Sequence, residues 1–198
     1  MRSCCDPRAG SNLRRMRSLV TIALLALLCA VQAQVPSAPP ALQFSRTVNV
    51  PLSKGQVGAL VKAAWENSFA LDPGARLEAP TADGRSFEGA ARVPFRSAML
   101  IGREQSAGNI QYRVTIVAEN GSCQVRVTNI NHTGSAAAKG GAISIGPLRE
   151  TPPPDLRLPG LSRSNGTALF IEVRDAATAR LKLLLDRFES TLRDRAQP

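Results

Sequence analysis

The chain's one tyrosine, its one histidine and its one cysteine beyond residue 29 fall together in QYRVTIVAENGSCQVRVTNINHTG, as Tyr112, His132 and Cys123. A cysteine within hydrogen-bond reach of a histidine is the minimum for a thiol nucleophile, because the imidazole must take the thiol proton. The local pattern argues against that arrangement. Asn120-Gly121 is a strong hairpin signal, since a type I′ turn needs two residues at positive φ. With that pair as the turn, Ala118 faces Cys123, Ile116 faces Val125, Val114 faces Val127 and Tyr112 faces Asn129. Side chains alternate along a strand, so these eight share one largely apolar side. Cys123 then behaves as a small hydrophobe with a raised pKa. His132 lies an odd number of positions from Cys123 and is expected on the opposite face. No catalytic, metal-ligating or cofactor-binding residue is assigned, and the chain is read as a non-enzyme.

The other side of the same hairpin carries Arg113, Thr115, Glu119, Ser122, Gln124, Arg126 and Thr128, with Val117 its apolar exception. Arg113 opposes Thr128 and Arg126 opposes Thr115, which makes the two arginines diagonal neighbours roughly 7–8 Å apart. Thr115, Gln124 and Gln111 surround them. Guanidinium forks suit carboxylate or phosphate groups, as on an anionic envelope polymer or another envelope protein. Arg113, Arg126, Thr115 and Gln124 are therefore the candidate binding residues; the plainer alternative is a solvated strand face. Glu78 and Glu88 could serve as paired carboxylates in a hydrolase, although they read more readily as solvated strand residues. A second histidine, a metal-ligand cluster and a G-x-S-x-G elbow are all missing from the sequence. Gly140-Gly141-Ala142 lacks the spacing and lysine of a phosphate-binding loop.

The chain as a whole divides by composition. Residues 1–33 are expected to be a signal peptide: Arg14, Arg15 and Arg17 precede LVTIALLALLCAVQA, and Val31-Gln32-Ala33 suits a signal peptidase. The apolar run is short against the roughly 20 residues of a membrane span, so no stable transmembrane span is expected after cleavage behind Ala33. Met16 opens a complete signal of its own, which makes 1–15 read as an upstream extension; translation from Met1 and from Met16 both stay open. A periplasmic or secreted location follows. The mature chain would hold Cys123 alone, without a disulfide. The formal net charge is +10, part of it in the leader arginines, and no Lys/Arg block stands out. Such a balance implies a general attraction to anions and nothing more specific.

Residues 34–41 form a Pro/Ala-rich tether. LQFSRTVNV reads as a strand, and Ser53 with Gln56 as a capping box opening a helix that Leu52 staples to Val57. Val57, Leu60, Val61, Ala64, Trp65 and Phe69 recur at helical spacing, which makes Trp65 core. Asp72-Pro73-Gly74 stops the helix. A loop through Gly84 brings Ala79 opposite Phe87 and Leu77 opposite Gly89. Pro94 marks an edge or bulge, and SAMLI reads as a further strand or a continuation. Residues 134–165 read as a Gly/Pro-rich loop or linker, and whether they cover the sheet is open. Residues 166–198 read as a C-terminal helix packing on the domain, with Val173, Ala177, Leu181, Leu184, Phe188 and Leu192 on one face; ALFIEV could instead be a strand.

This order of elements gives an α+β fold: an antiparallel sheet with an N-terminal crossover helix and a C-terminal helix on one face. On FSRTVNVPLSKGQVGALVKAAW, the strand–Asn-Gly–strand unit ending in NINHTG, and GPLRE, the chain resembles a bacterial exported family of unknown function with a TATA-binding-protein-like fold (DUF4468). The resemblance implies that fold over residues 42–133 and an envelope or secreted location. It supplies no functional residues. A non-enzymatic binding or scaffold module of the cell envelope is the reading these features favour. A hydrolase acting on an envelope component is the first alternative. Nucleic-acid binding is the second, and export together with a wet face lacking aromatic platforms counts against it.

Overall fold

The computed structural model describes residues 38–82, 84–100, 104–136 and 141–197. The expected leader, its cleavage site and the first half of the Pro/Ala-rich tether lie outside them. Six strands form one sheet: β1 (Phe44–Asn49), β2 (Arg76–Leu77), β3 (Ser86–Phe95), β4 (Gly108–Glu119), β5 (Ser122–Gly134) and β6 (Gly146–Pro147). The spatial order is β1-β5-β4-β3-β2, with β6 also on β5, and every pairing is antiparallel. Helix α1 (Lys54–Glu66) follows β1, and helix α2 (Arg163–Ala196) closes the chain. The fold is α+β.

Helix α1 begins where local chemistry allows. The Gln56 side-chain oxygen accepts from the Ser53 N–H at 2.9 Å and from the Ser53 hydroxyl at 2.8 Å. The exposed N–H of Lys54 donates to the Asn120 side-chain oxygen at 2.8 Å. Asn120 thus serves both the hairpin turn and the helix start, satisfying one of the donors every helix leaves unpaired. Val57, Val61, Ala64 and Trp65 point into the core, and Phe69 follows on a 3₁₀ turn. The Trp65 ring packs onto β3 at Gly89, where a Cβ would come within 2.4 Å of it. Leu77 pairs with Gly89 as expected.

Pro94 sits in β3 opposite Asn109; β2 pairs with β3 only at Gly89 and Ala90, so the proline interrupts no ladder on its other side. SAMLI does not continue the sheet over residues 97–100. Glu172 of α2 draws this segment away, accepting from the Ser97 hydroxyl at 2.5 Å and the Ala98 N–H at 2.6 Å.

One edge of β5 is shared end to end. β1 takes Ser122–Val127 and β6 takes Asn131 and His132, while Ala41 bridges to Arg149 beyond them. The Gly/Pro-rich segment therefore contributes to the sheet and the core, burying Ile143, Leu148 and Leu158. It lies along the sheet's edge, and β4 and β5 keep an exposed outer face. Helix α2 starts at Arg163, capped by the Ser162 hydroxyl, and takes ALFIEV into its first turns. Its Val173, Ala177, Leu181, Leu184, Phe188 and Leu192 are all buried. They meet Val48, Ile116, Val125 and Val127 from the sheet and the α1 stripe in one core. Among the described residues no helix is long and apolar enough to cross a membrane.

Candidate functional site

The cysteine and histidine of the hairpin are both buried, and both lie on the core face. For His132 this corrects the alternation expected from sequence. Asn129 adopts φ 53°, and the register moves from Arg113↔Thr128 to Gln111↔Asn131 across it. This β-bulge inserts one extra residue, so Asn129 turns outward, away from the apolar side where it was expected opposite Tyr112. Ile130 and His132 turn inward instead. Cys123 and His132 are still nine positions apart along the strand, roughly 30 Å at the usual rise. A thiol–imidazole dyad is ruled out by that length rather than by facing.

Burial pushes the Cys123 thiol up to about 12 and the His132 imidazole down to about 4. His132 Nδ1 accepts from the Ile145 N–H at 3.4 Å, Phe95 meets the ring edge-on at 5.6 Å, and Nε2 has no partner among the described residues. Tyr112 donates to Asp72 at 2.7 Å, and its phenol is raised well above the ordinary value by burial and by that bond. Arg180 of α2 donates to the other Asp72 oxygen at 2.9 Å through Nε. Tyr112, Asp72 and Arg180 are a structural network beneath the sheet. Among the described residues no group of three or more His, Cys, Asp or Glu side chains could hold a metal.

The opposite face carries several exposed arginines. The register places Arg113 across from Thr128 and Arg126 across from Thr115, with Gln124 between Val117 and Thr47. Arg113, Arg126 and Gln124 are exposed and Thr115 half-buried. Sequence reasoning missed how that surface continues into β3 and β2. Ala90 pairs with Arg113 on one side and Arg76 on the other, and Arg92 pairs with Gln111. Arg76, Arg92 and Arg113 line a concavity of about 430 Å³ that Asn129 and Gln111 border. None of these arginines, nor Arg126, belongs to an ion pair found among the described residues. The expected Leu77–Gly89 register already placed Arg76 across from Ala90; the missing link was the β3–β4 register, for which residues 96–107 hold no turn signal. Glu78 and Glu88 are also neighbours here, joined by a backbone bond of 2.7 Å, and both side chains are exposed.

No family model matches the chain, and no curated protein does. Among solved structures it is similar to a TBP-like protein from Parabacteroides distasonis, at 10% identity and a TM-score of 0.49 over 75% of this chain and 93% of that one. It is also similar to a DUF4468 family protein from Bacteroides ovatus, at 18% identity and a TM-score of 0.43 over 78% and 91%. The α+β class itself stands on the element order and register described above.

Proposed function

We propose that this protein is a non-enzymatic binding or scaffold module of the bacterial cell envelope, exported by its N-terminal signal and recognising an anionic partner through the open sheet face. Arg113 and Arg126 are the charged contacts, with Thr115 and Gln124 as flanking hydrogen-bonding groups. The partner is an anionic envelope polymer or an acidic surface of another envelope protein. The observation carrying this reading is that exposed arginines gather on the face the helices leave bare, without carboxylate partners among the described residues. That face also lacks an aromatic side chain on which a base could stack, which counts against single-stranded nucleic acid. The hydrolase alternative keeps only Glu78 and Glu88, exposed neighbours joined through their backbones, and the thiol–imidazole pair is excluded by distance.

The test is retention of the purified mature protein on isolated cell-envelope material over a range of salt concentrations. Arg113→Ala/Arg126→Ala should lose retention while melting near the wild type. Equal retention of both proteins at every salt concentration would sink the reading.

A further inference from the structure

We infer that the concavity over Ala90 is a phosphoryl-binding site formed by Arg76, Arg92 and Arg113. The inference rests on the open-face reading and gives it a ligand class. Arg76, Ala90 and Arg113 stand in one row across three strands. With strands about 4.8 Å apart, the two arginines flank a methyl group at a spacing of roughly 10 Å, and alanine cannot fill the gap. Arg92 lies two residues along from Ala90, on the same face. Gly74, at φ +66°, abuts its guanidinium stem; a Cβ there would meet Arg92 Nε at 3.4 Å. This turn limits how far Arg92 can swing away from the concavity.

Three guanidinium groups and no carboxylate line the space. A phosphomonoester brings roughly −1.5 to −2 charges and three strong acceptor oxygens, against a single charge and two oxygens for a carboxylate. Multiple forks on one group therefore fit phosphoryl better. Gln111 and Asn129 are neutral amides suited to hydroxyls beside the phosphoryl group, and the volume admits a glycerol phosphate or sugar phosphate. Asn129 adds an independent observation, because it is the sole non-glycine residue at positive φ among those described. Backbone held in that region concentrates at ligand sites, and here the bulge puts an amide side chain at the border of the concavity.

The experiment is calorimetric titration of the mature protein with glycerol 3-phosphate at constant ionic strength, with succinate as a dicarboxylate probe. Glycerol 3-phosphate should saturate one site. Arg76→Gln and Arg92→Gln should each weaken it about tenfold or more. Arg187→Gln on α2, which removes the same charge far from the sheet's open face, should leave it unchanged. Three outcomes would overturn the assignment: no saturable binding, equal weakening by Arg187→Gln, or succinate binding as tightly as the phosphate. Envelope retention separates the two ideas. A protein that is retained yet ignores glycerol 3-phosphate loses this site and keeps the proposed function. One that binds glycerol 3-phosphate without being retained keeps the site and loses the function.

Discussion

Arginine is treated in opposite ways on the two faces of this sheet. Beneath it, Arg180 meets Asp72, whose side chain is 2% exposed, and Asp72 also holds the Tyr112 hydroxyl. At the edge of that layer, Arg46 pairs with Asp186 and Glu189 of α2. Above the sheet, Arg76, Arg92, Arg113 and Arg126 are exposed without such partners among the described residues. A charge that fastens layers together comes with its carboxylate, since a buried ion left alone is costly. A charge left unmatched on a rigid surface is free to meet an anion from outside. The contrast identifies the arginines that tie the layers together; lack of an ion pair does not by itself mark a binding arginine, since exposed Arg187 on α2 forms none among the described residues either.

The sharpest way to break this contrast is at Asp72. Asp72→Ala strands the Tyr112 hydroxyl and frees Arg180, and should lower unfolding free energy by about 3 kcal/mol, as read from denaturant midpoints. A loss near zero would make the covered face no more dependent on its charge pairing than the open one. His132 tests the same layer by titration. Its folded pKa of about 4 lies below the unpartnered value of 6.5, so the unfolded chain takes up the proton first as pH falls. Its contribution is complete above about pH 6.5 and disappears progressively down to about pH 4, about 3 kcal/mol in all at roughly 1.4 kcal/mol per unit. His132→Gln should remove that part of the stability–pH slope. Cys123→Ser should cost about 1–3 kcal/mol, because a hydroxyl would replace the thiol at a fully buried position. The wild-type thiol should resist a labelling reagent until denaturant is added. Smallest of all, Arg113→Ala and Arg126→Ala should each shift stability by no more than about 0.5 kcal/mol. A larger change would move those arginines into the structural class.

The first half of β5 was readable from sequence because turn position and alternation agree there, although the turn type differs: Gly121 takes φ 79°, while Asn120 does not take the positive φ that a type I′ turn needs. Asn120-Gly121 set the turn, and the register from Ala118↔Cys123 to Val114↔Val127 followed. Beyond Thr128 the same rule failed at one residue. Asparagine tolerates the left-handed region, but nothing in NINHTG distinguishes a bulge from regular strand, so the facing of His132 came out inverted. The stripes of α1 and α2 were legible for the reason amphipathic helices usually are: each buries one face, and the spacing records it. The concavity was not legible. Its three arginines come from β2, β3 and β4; the local β2–β3 register puts Arg76 beside Ala90, but Arg113 joins them only through the β3–β4 pairing, for which the sequence holds no turn signal.

Asn120 also bears on the order of assembly. β4 and β5 are joined by a two-residue turn, so their pairing closes a short loop, whereas residues 44–49 of β1 must find 122–127 from far along the chain. Local closure is entropically cheaper. By accepting from Lys54, the turn also offers the incoming β1–α1 segment a landing point at the hairpin's tip. Formation of the hairpin would then precede docking of that segment, with the amide hydrogens of β4 and β5 protected earlier in refolding than those of β1. A chain interrupted before β5 emerges would hold an N-terminal strand with nowhere to dock.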